Sequence, residues 1–129
     1  MKIDSGECQF REGAWECHFQ SSSKRMLEVW LLGDRTFFDL SDVMEPLRVF
    51  LSQADKIIDD AVQYAIQSVY RSDIEECDGM RFVSILVQNW ANIRVWFRLN
   101  CQEDRMLAVA IVSGIPDDVY CEAPMKYDH

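Results

Sequence analysis

Residues 55–70 read DKIIDDAVQYAIQSVY. Ile58, Ala61, Val62, Ala65 and Val69 recur at steps of three and four, while Asp59, Asp60, Gln63 and Gln67 fall largely on the other side. This is the pattern of a helix with one apolar stripe. A stripe of that kind has to be covered, and the flanking segments can cover it, because their apolar residues alternate singly as strands do.

Upstream, Trp15, Cys17 and Phe19 alternate with Glu16, His18 and Gln20 in residues 14–20. With residues 7–11 before Glu12-Gly13, they predict a hairpin. The polar loop Ser21-Ser22-Ser23-Lys24 follows, then a more continuously apolar strand over residues 26–32 ended by Gly33-Asp34, with a short pairing piece at 36–38. At Asp42 the period changes. Asp42 and Glu45 have the spacing of a capping box, and Pro46 is tolerated close to a first helical turn. Leu47, Phe50 and Leu51 continue at helical spacing, and Ser52-Gln53-Ala54 is either a bend or more helix.

Downstream, Asp78-Gly79 is a turn signal. In residues 80–90, Phe82, Ile85, Leu86 and Asn89 fit a helix, while Val83, Ile85 and Val87 fit a strand; the expectation is a short helix. Residues 93–99 alternate as a strand with Arg94, Trp96 and Arg98 on one face. A turn over 102–105 and a strand over 106–112 make a second hairpin, residues 119–122 add an edge strand, and the tail from Pro124 is expected to be mobile. The expected fold is α+β: one domain over residues 1–129, an antiparallel sheet with helices packed on one face.

A chain of 129 residues that is 49% hydrophobic and 27% charged can bury a core without metal or disulfide support. The net charge of −9 is uneven: −5 over residues 55–78, +3 over 79–100 and −4 over 101–129. A concentrated negative field favours a basic partner and disfavours nucleic acid. Cys8, Cys17, Cys77, Cys101 and Cys121 are odd in number and irregularly spaced, and the Met1-Lys2-Ile3-Asp4 start has no apolar leader. Free thiols and a cytoplasmic location are expected. The apolar runs are too short to span a bilayer, so no membrane partner is expected.

Catalytic and ligand-binding signatures are sparse. Nucleophilic triads and dyads need an imidazole beside the nucleophile, and the histidines are His18 and His129. His18 neighbours Cys17 in a strand, so the two point to opposite faces and His18 reads as a surface residue. No Cys pair has zinc-ligand spacing, and no glycine-rich phosphate loop exists. No metal or cofactor is expected, and no catalytic residue. The acidic pairs Asp59-Asp60, Glu75-Glu76, Glu103-Asp104 and Asp117-Asp118 fall in turns or on polar helix faces, where carboxylates stay solvated. For capture of a partner the candidates are Asp73, Glu75, Glu76 and Asp78, read as one loop before Gly79. Glu103, Asp104, Asp117 and Asp118 would join that rim if the loops share one end of the sheet.

The order strands, helical block, strands over residues 14–123, the segment Leu47-Arg48-Val49-Phe50-Leu51 leading into residues 55–70, and the late hairpin around Glu103-Asp104 resemble the small acidic immunity proteins of bacterial toxin/immunity pairs, of the contact-dependent growth inhibition type. The resemblance implies a cytosolic, stoichiometric inhibitor of a basic toxin, a nuclease in many such pairs. It carries over a class of function and no individual residue. Two other readings stand beside it: a carboxylate-dependent hydrolase using Glu103, Asp104 and Asp118, and a homodimeric scaffold that buries Trp90 or Trp96 between subunits. The oligomeric state is left open.

Overall fold

The computed structural model describes residues 2–3, 6–11, 14–21, 23–32, 40–89 and 91–122. Strands β1 (Lys2–Ile3), β2 (Gly6–Arg11), β3 (Ala14–Gln20) and β4 (Met26–Leu32) come first. Helices α1 (Leu40–Ile66) and α2 (Arg71–Glu76) follow, and then β5 (Met80–Asn89), β6 (Asn92–Leu99), β7 (Gln102–Val112) and β8 (Ile115–Glu122). All eight of these strands lie in one sheet in their order along the chain. Six of the seven pairings are antiparallel. The exception is β4 with β5, parallel through Val29–Ile85, Trp30–Leu86 and Leu31–Val87. Antiparallel neighbours need only a short turn, whereas a parallel pair needs a long crossover, and the helical block supplies it. The fold is α+β as expected, with the correction that the sheet is mixed.

The helical stripe forms as the sequence implies. Phe50, Ala54, Ile58, Ala61 and Ala65 are buried on α1 and pack on Trp15, Cys17, Phe19, Val29, Ile85, Val95, Phe97, Leu107 and Val109 of the sheet. Three alanines in the stripe let the helix lie close to the strands, while Phe50 and Ile58 fill the space at its edges; each large side chain contributes roughly 2–3 kcal/mol of burial. The opposite face holds a smaller cluster of Ala14, Trp30, Leu86, Trp96, Met106 and Ala108, flanked by Val83 and Tyr120. No described helix covers that face.

Several expectations need correcting. The helix begins at Leu40, before Asp42, and runs unbroken through residues 52–54. It stops at Ile66 instead of reaching Tyr70: Ser68 N–H bonds back to the Ala65 carbonyl, three residues away, and Ser68 Oγ–H donates to the same carbonyl at 2.6 Å. The chain has left the helical path before Val69, which is 88% exposed instead of finishing the stripe. Residues 80–89, expected as a short helix, form strand β5 instead. Ser84, Ile85, Leu86 and Val87 are buried consecutively, which is what a strand covered on both faces produces. β7 starts at Gln102, so the turn is Asn100-Cys101 and residues 102–105 are strand. Cysteines expected as free are joined, Cys8 to Cys17 across β2 and β3 and Cys77 to Cys101 between α2 and the β6–β7 turn; Cys121 is free and exposed. The expected piece at 36–38, Trp90 and the tail from Pro124 lie outside the described residues.

Candidate functional site

The expected acidic loop is a helical turn. Asp73, Glu75 and Glu76 lie on α2, and Asp78 follows it. Gly79 N–H bonds to the Ile74 carbonyl at 2.8 Å and Asp78 N–H to the Glu75 carbonyl at 3.1 Å. These are the two bonds of a Schellman cap, with Asp78 in the left-handed position at φ 57° and Gly79 at φ 100°. Asp tolerates that conformation better than most residues, because its short polar side chain interferes least with the backbone. The cap is fastened to the β6–β7 turn: Asn100 Nδ2 donates to the Asp78 carbonyl at 2.8 Å, Asn100 N–H to the Gly79 carbonyl at 3.1 Å, and Cys77 is bonded to Cys101. A carboxylate set expected to depend on loop freedom is therefore held by a fixed turn.

Its charges differ in how far they are neutralised. Asp73 faces Arg105 at 3.4 Å, with both side chains about one-third exposed. Contact with the Cys121 sulfur and with Asp73 outweighs burial and holds the Arg105 guanidinium above its ordinary pKa. Glu75 pairs with Arg71 at 3.0 Å across one helical turn, on the surface. Glu76 and Asp78 are exposed, with no cationic side chain within ion-pair distance among the described residues.

The other candidates are only partly gathered. The backbone of Glu103 and Asp104 belongs to the first part of β7, just past the turn bonded to α2; their side chains lie outside the described residues. Asp117 and Asp118 are exposed in β8 and not in a loop. The Asp117 carbonyl accepts from Tyr64 Oη at 2.8 Å, and Asp118 Oδ1 accepts from Val119 N–H at 2.9 Å. At about 3.3 Å per strand residue they stand roughly 10–13 Å up the strand from Cys121, which sits beside Tyr70 and Arg105. One end of the sheet thus unites residues 73–78 with the start of β7, and it leaves Asp117 and Asp118 apart.

A second constellation, which the sequence reading passed over, lies on the sheet face that no described helix covers. Strand alternation puts Glu16 and His18 on the same side of β3, and the register places Glu28 opposite His18 and Trp30 opposite Glu16. His18 Nε2 and Glu16 Oε1 are 3.3 Å apart, and one ligand atom from each of Glu16, His18 and Glu28 lies within 4.8 Å of the others. Trp30 Nε1–H donates to Glu28 Oε2 at 3.1 Å. His18 is exposed and Cys17 buried, as expected of neighbours on opposite faces. No cysteine belongs to this group, so cysteine spacing carries no trace of it. The signal was Glu16-x-His18 on an alternating strand, and its third member needs the β3–β4 register.

Further along the same face, Arg94, Trp96 and Arg98 share one side of β6. Trp96 is buried inside the single chain, which removes it as a subunit-interface candidate. Ser84 pairs with Trp96 across β5 and β6, and Ser84 Oγ and Trp96 Nε1 are both buried without a hydrogen-bond partner among the described residues. No helix among the described residues is long and apolar enough to cross a membrane. Comparison with protein-family models, with curated proteins and with solved structures finds no match to this chain.

Proposed function

We propose that this protein is a stoichiometric inhibitor that captures a basic protein, working as the immunity partner of a cationic, nuclease-type toxin in the cytoplasm. The observation that supports the reading is the acidic turn at residues 73–78. Glu76 and Asp78 have no described counter-ion, Glu75 is held by a surface pair, and all three stand on a backbone fixed by the Schellman cap and its hydrogen bonds to Asn100. A backbone fixed before the encounter loses little conformational entropy on binding, and the field of its carboxylates raises the rate at which a cationic surface arrives in the right orientation. Glu103 and Asp104 extend the same end of the sheet. Asp117 and Asp118 belong to the proposal only as a second, separate contact. The hydrolase reading gains nothing from Asp118, which is exposed and bonded to its own strand.

The test is binding to the cationic protein encoded beside this one. Association measured at about 0.1 M and 1 M salt should slow steeply as the screening length shrinks from about 10 Å to about 3 Å. The Glu75→Gln, Glu76→Gln, Asp78→Asn variant should associate more slowly and with a flatter salt dependence. Absence of binding at either salt concentration ends the reading.

A further inference from the structure

We propose that Glu16, His18 and Glu28 form a binding site for a divalent transition metal ion of the zinc class, on the sheet face opposite α1. This is independent of the acidic turn, which lies at one end of the molecule on residues these strands do not contain.

The donor set is the first reason. One imidazole nitrogen with two carboxylates suits borderline ions such as Zn²⁺, whereas Ca²⁺ and Mg²⁺ prefer oxygen ligands alone. Two carboxylates beside one imidazole also gather negative charge that a dication would neutralise.

Geometry is the second. Four-coordinate zinc holds nitrogen and oxygen ligands at about 2.0–2.2 Å, which puts tetrahedral ligand atoms roughly 3.3–3.6 Å from each other. The His18 Nε2 to Glu16 Oε1 distance is already 3.3 Å. With all three ligand atoms inside 4.8 Å, closure asks for about an ångström of carboxylate rotation, made on paired strands that do not have to move.

Support around the ligands is the third. The Trp30 indole N–H holds Glu28 Oε2, which orients the carboxylate and leaves Oε1 for an ion; outer hydrogen bonds of this kind accompany metal ligands generally. Glu28 and Ser84 immediately precede the paired residues Val29 and Ile85 on the neighbouring strands β4 and β5. Ser84 is 0% exposed with its hydroxyl unpartnered, and its cross-strand neighbour Trp96 has an unpartnered buried indole N–H. Buried polar groups are normally satisfied, so two orphans on the face that carries the cluster support a polar ligand on that face, such as solvent brought by an ion. Three protein ligands leave a fourth position open for it, and the exposed imidazole gives an ion its way in.

The experiment uses the full chain stripped with a chelator and titrated with ZnCl₂ against a chromophoric competitor, with Co²⁺ as a spectroscopic probe. The expected result is one ion per chain and the intense visible absorption of low-coordinate Co²⁺. His18→Ala and Glu28→Gln, each confirmed folded by circular dichroism, should weaken binding by at least about 100-fold, and Trp30→Phe by about 10-fold with the stoichiometry kept. Glu75→Gln/Glu76→Gln should leave it unchanged. Absence of saturable one-to-one binding in the wild-type chain overturns the proposal, as does binding that survives both His18→Ala and Glu28→Gln.

Discussion

Asp55 fastens α1 to the turn between β3 and β4, and replacing it gives a measurable cost with a defined pH dependence. Its Oδ2 accepts the Ser23 backbone N–H at 3.2 Å, and Arg25 Nε lies 3.7 Å from Oδ1. Burial pushes the carboxyl up, but hydrogen bonds from Ser23 and Ser21 and the Arg25 charge outweigh it and hold the pKa below its ordinary value of 3.8. A hydrogen bond to a charged acceptor contributes about 1.5–3 kcal/mol when buried. With the Asp55 side chain 22% exposed and the Arg25 contact long, the lower end applies, so Asp55→Ala should cost about 1.5 kcal/mol at pH 7. For a chain of this size that is about 1 M in the urea midpoint or about 5 °C in melting temperature. Because the folded-state pKa is depressed, this stability is fully present above pH 3.8 and is lost as pH falls through the folded pKa. The gap between wild type and Asp55→Ala should therefore be constant from pH 7 to about 5 and narrow towards pH 3. Asp55→Asn, which keeps an acceptor for Ser23 and removes the charge, should show a smaller gap at pH 7. Urea titrations of the three proteins across that pH range decide it: an unchanged midpoint for Asp55→Ala at pH 7, or a gap equally wide at pH 3, refutes the argument.

Two further predictions concern the fold. Ile58→Ala should destabilise by about 3 kcal/mol in urea unfolding, since Ile58 is 2% exposed between α1 and the sheet, whereas Val69→Ser should change stability by less than about 0.5 kcal/mol. Gly79→Ala should cost about 2 kcal/mol and Gly114→Ala about 1 kcal/mol, both read from urea midpoints. Both glycines have positive φ, but an added Cβ at 79 comes within 3.2 Å of Asn100 Nδ2, the group that ties α2 to the β6–β7 turn, while at 114 it meets nothing within 4 Å.

How far the sequence was legible depended on whether one segment carried the signal alone. β3, β6 and the stripe on α1 were readable because singly alternating or three-and-four spacing is written in consecutive residues, and β4 because its short apolar run ends at Gly33-Asp34. β5 misled because a strand covered on both faces has no alternation, and Phe82, Ile85, Leu86 and Asn89 matched helical spacing by coincidence. Residues 71–78 misled for another reason. The local sequence is polar and ends in Asp78-Gly79, so the turn was visible, but the short helix before it is stabilised by Ile74 in the core and by bonds to Asn100 and Cys101, distant in sequence. Site residues followed the same rule. Residues 73–78 were found because they are contiguous, whereas Glu16, His18 and Glu28 come together only through the β3–β4 register. Asp117 and Asp118 have a structural reading as well, because they lie with Pro116 on the outermost strand, where charge and a missing N–H discourage pairing with another chain.

The parallel join between β4 and β5 divides the sheet into two halves, each assembled from hairpins of neighbouring sequence. Three residue pairs make the seam, and bringing its lips together requires closing the whole helical crossover. Loop closure of that length is slow compared with hairpin formation, so each half can be paired before the molecule is whole. In that interval the bare borders at Val29 and Ile85 are apolar and matched to each other, and nothing in the match distinguishes one chain from the next. Refolding at high concentration should then exchange halves between molecules, giving an intertwined dimer with every native strand neighbour preserved.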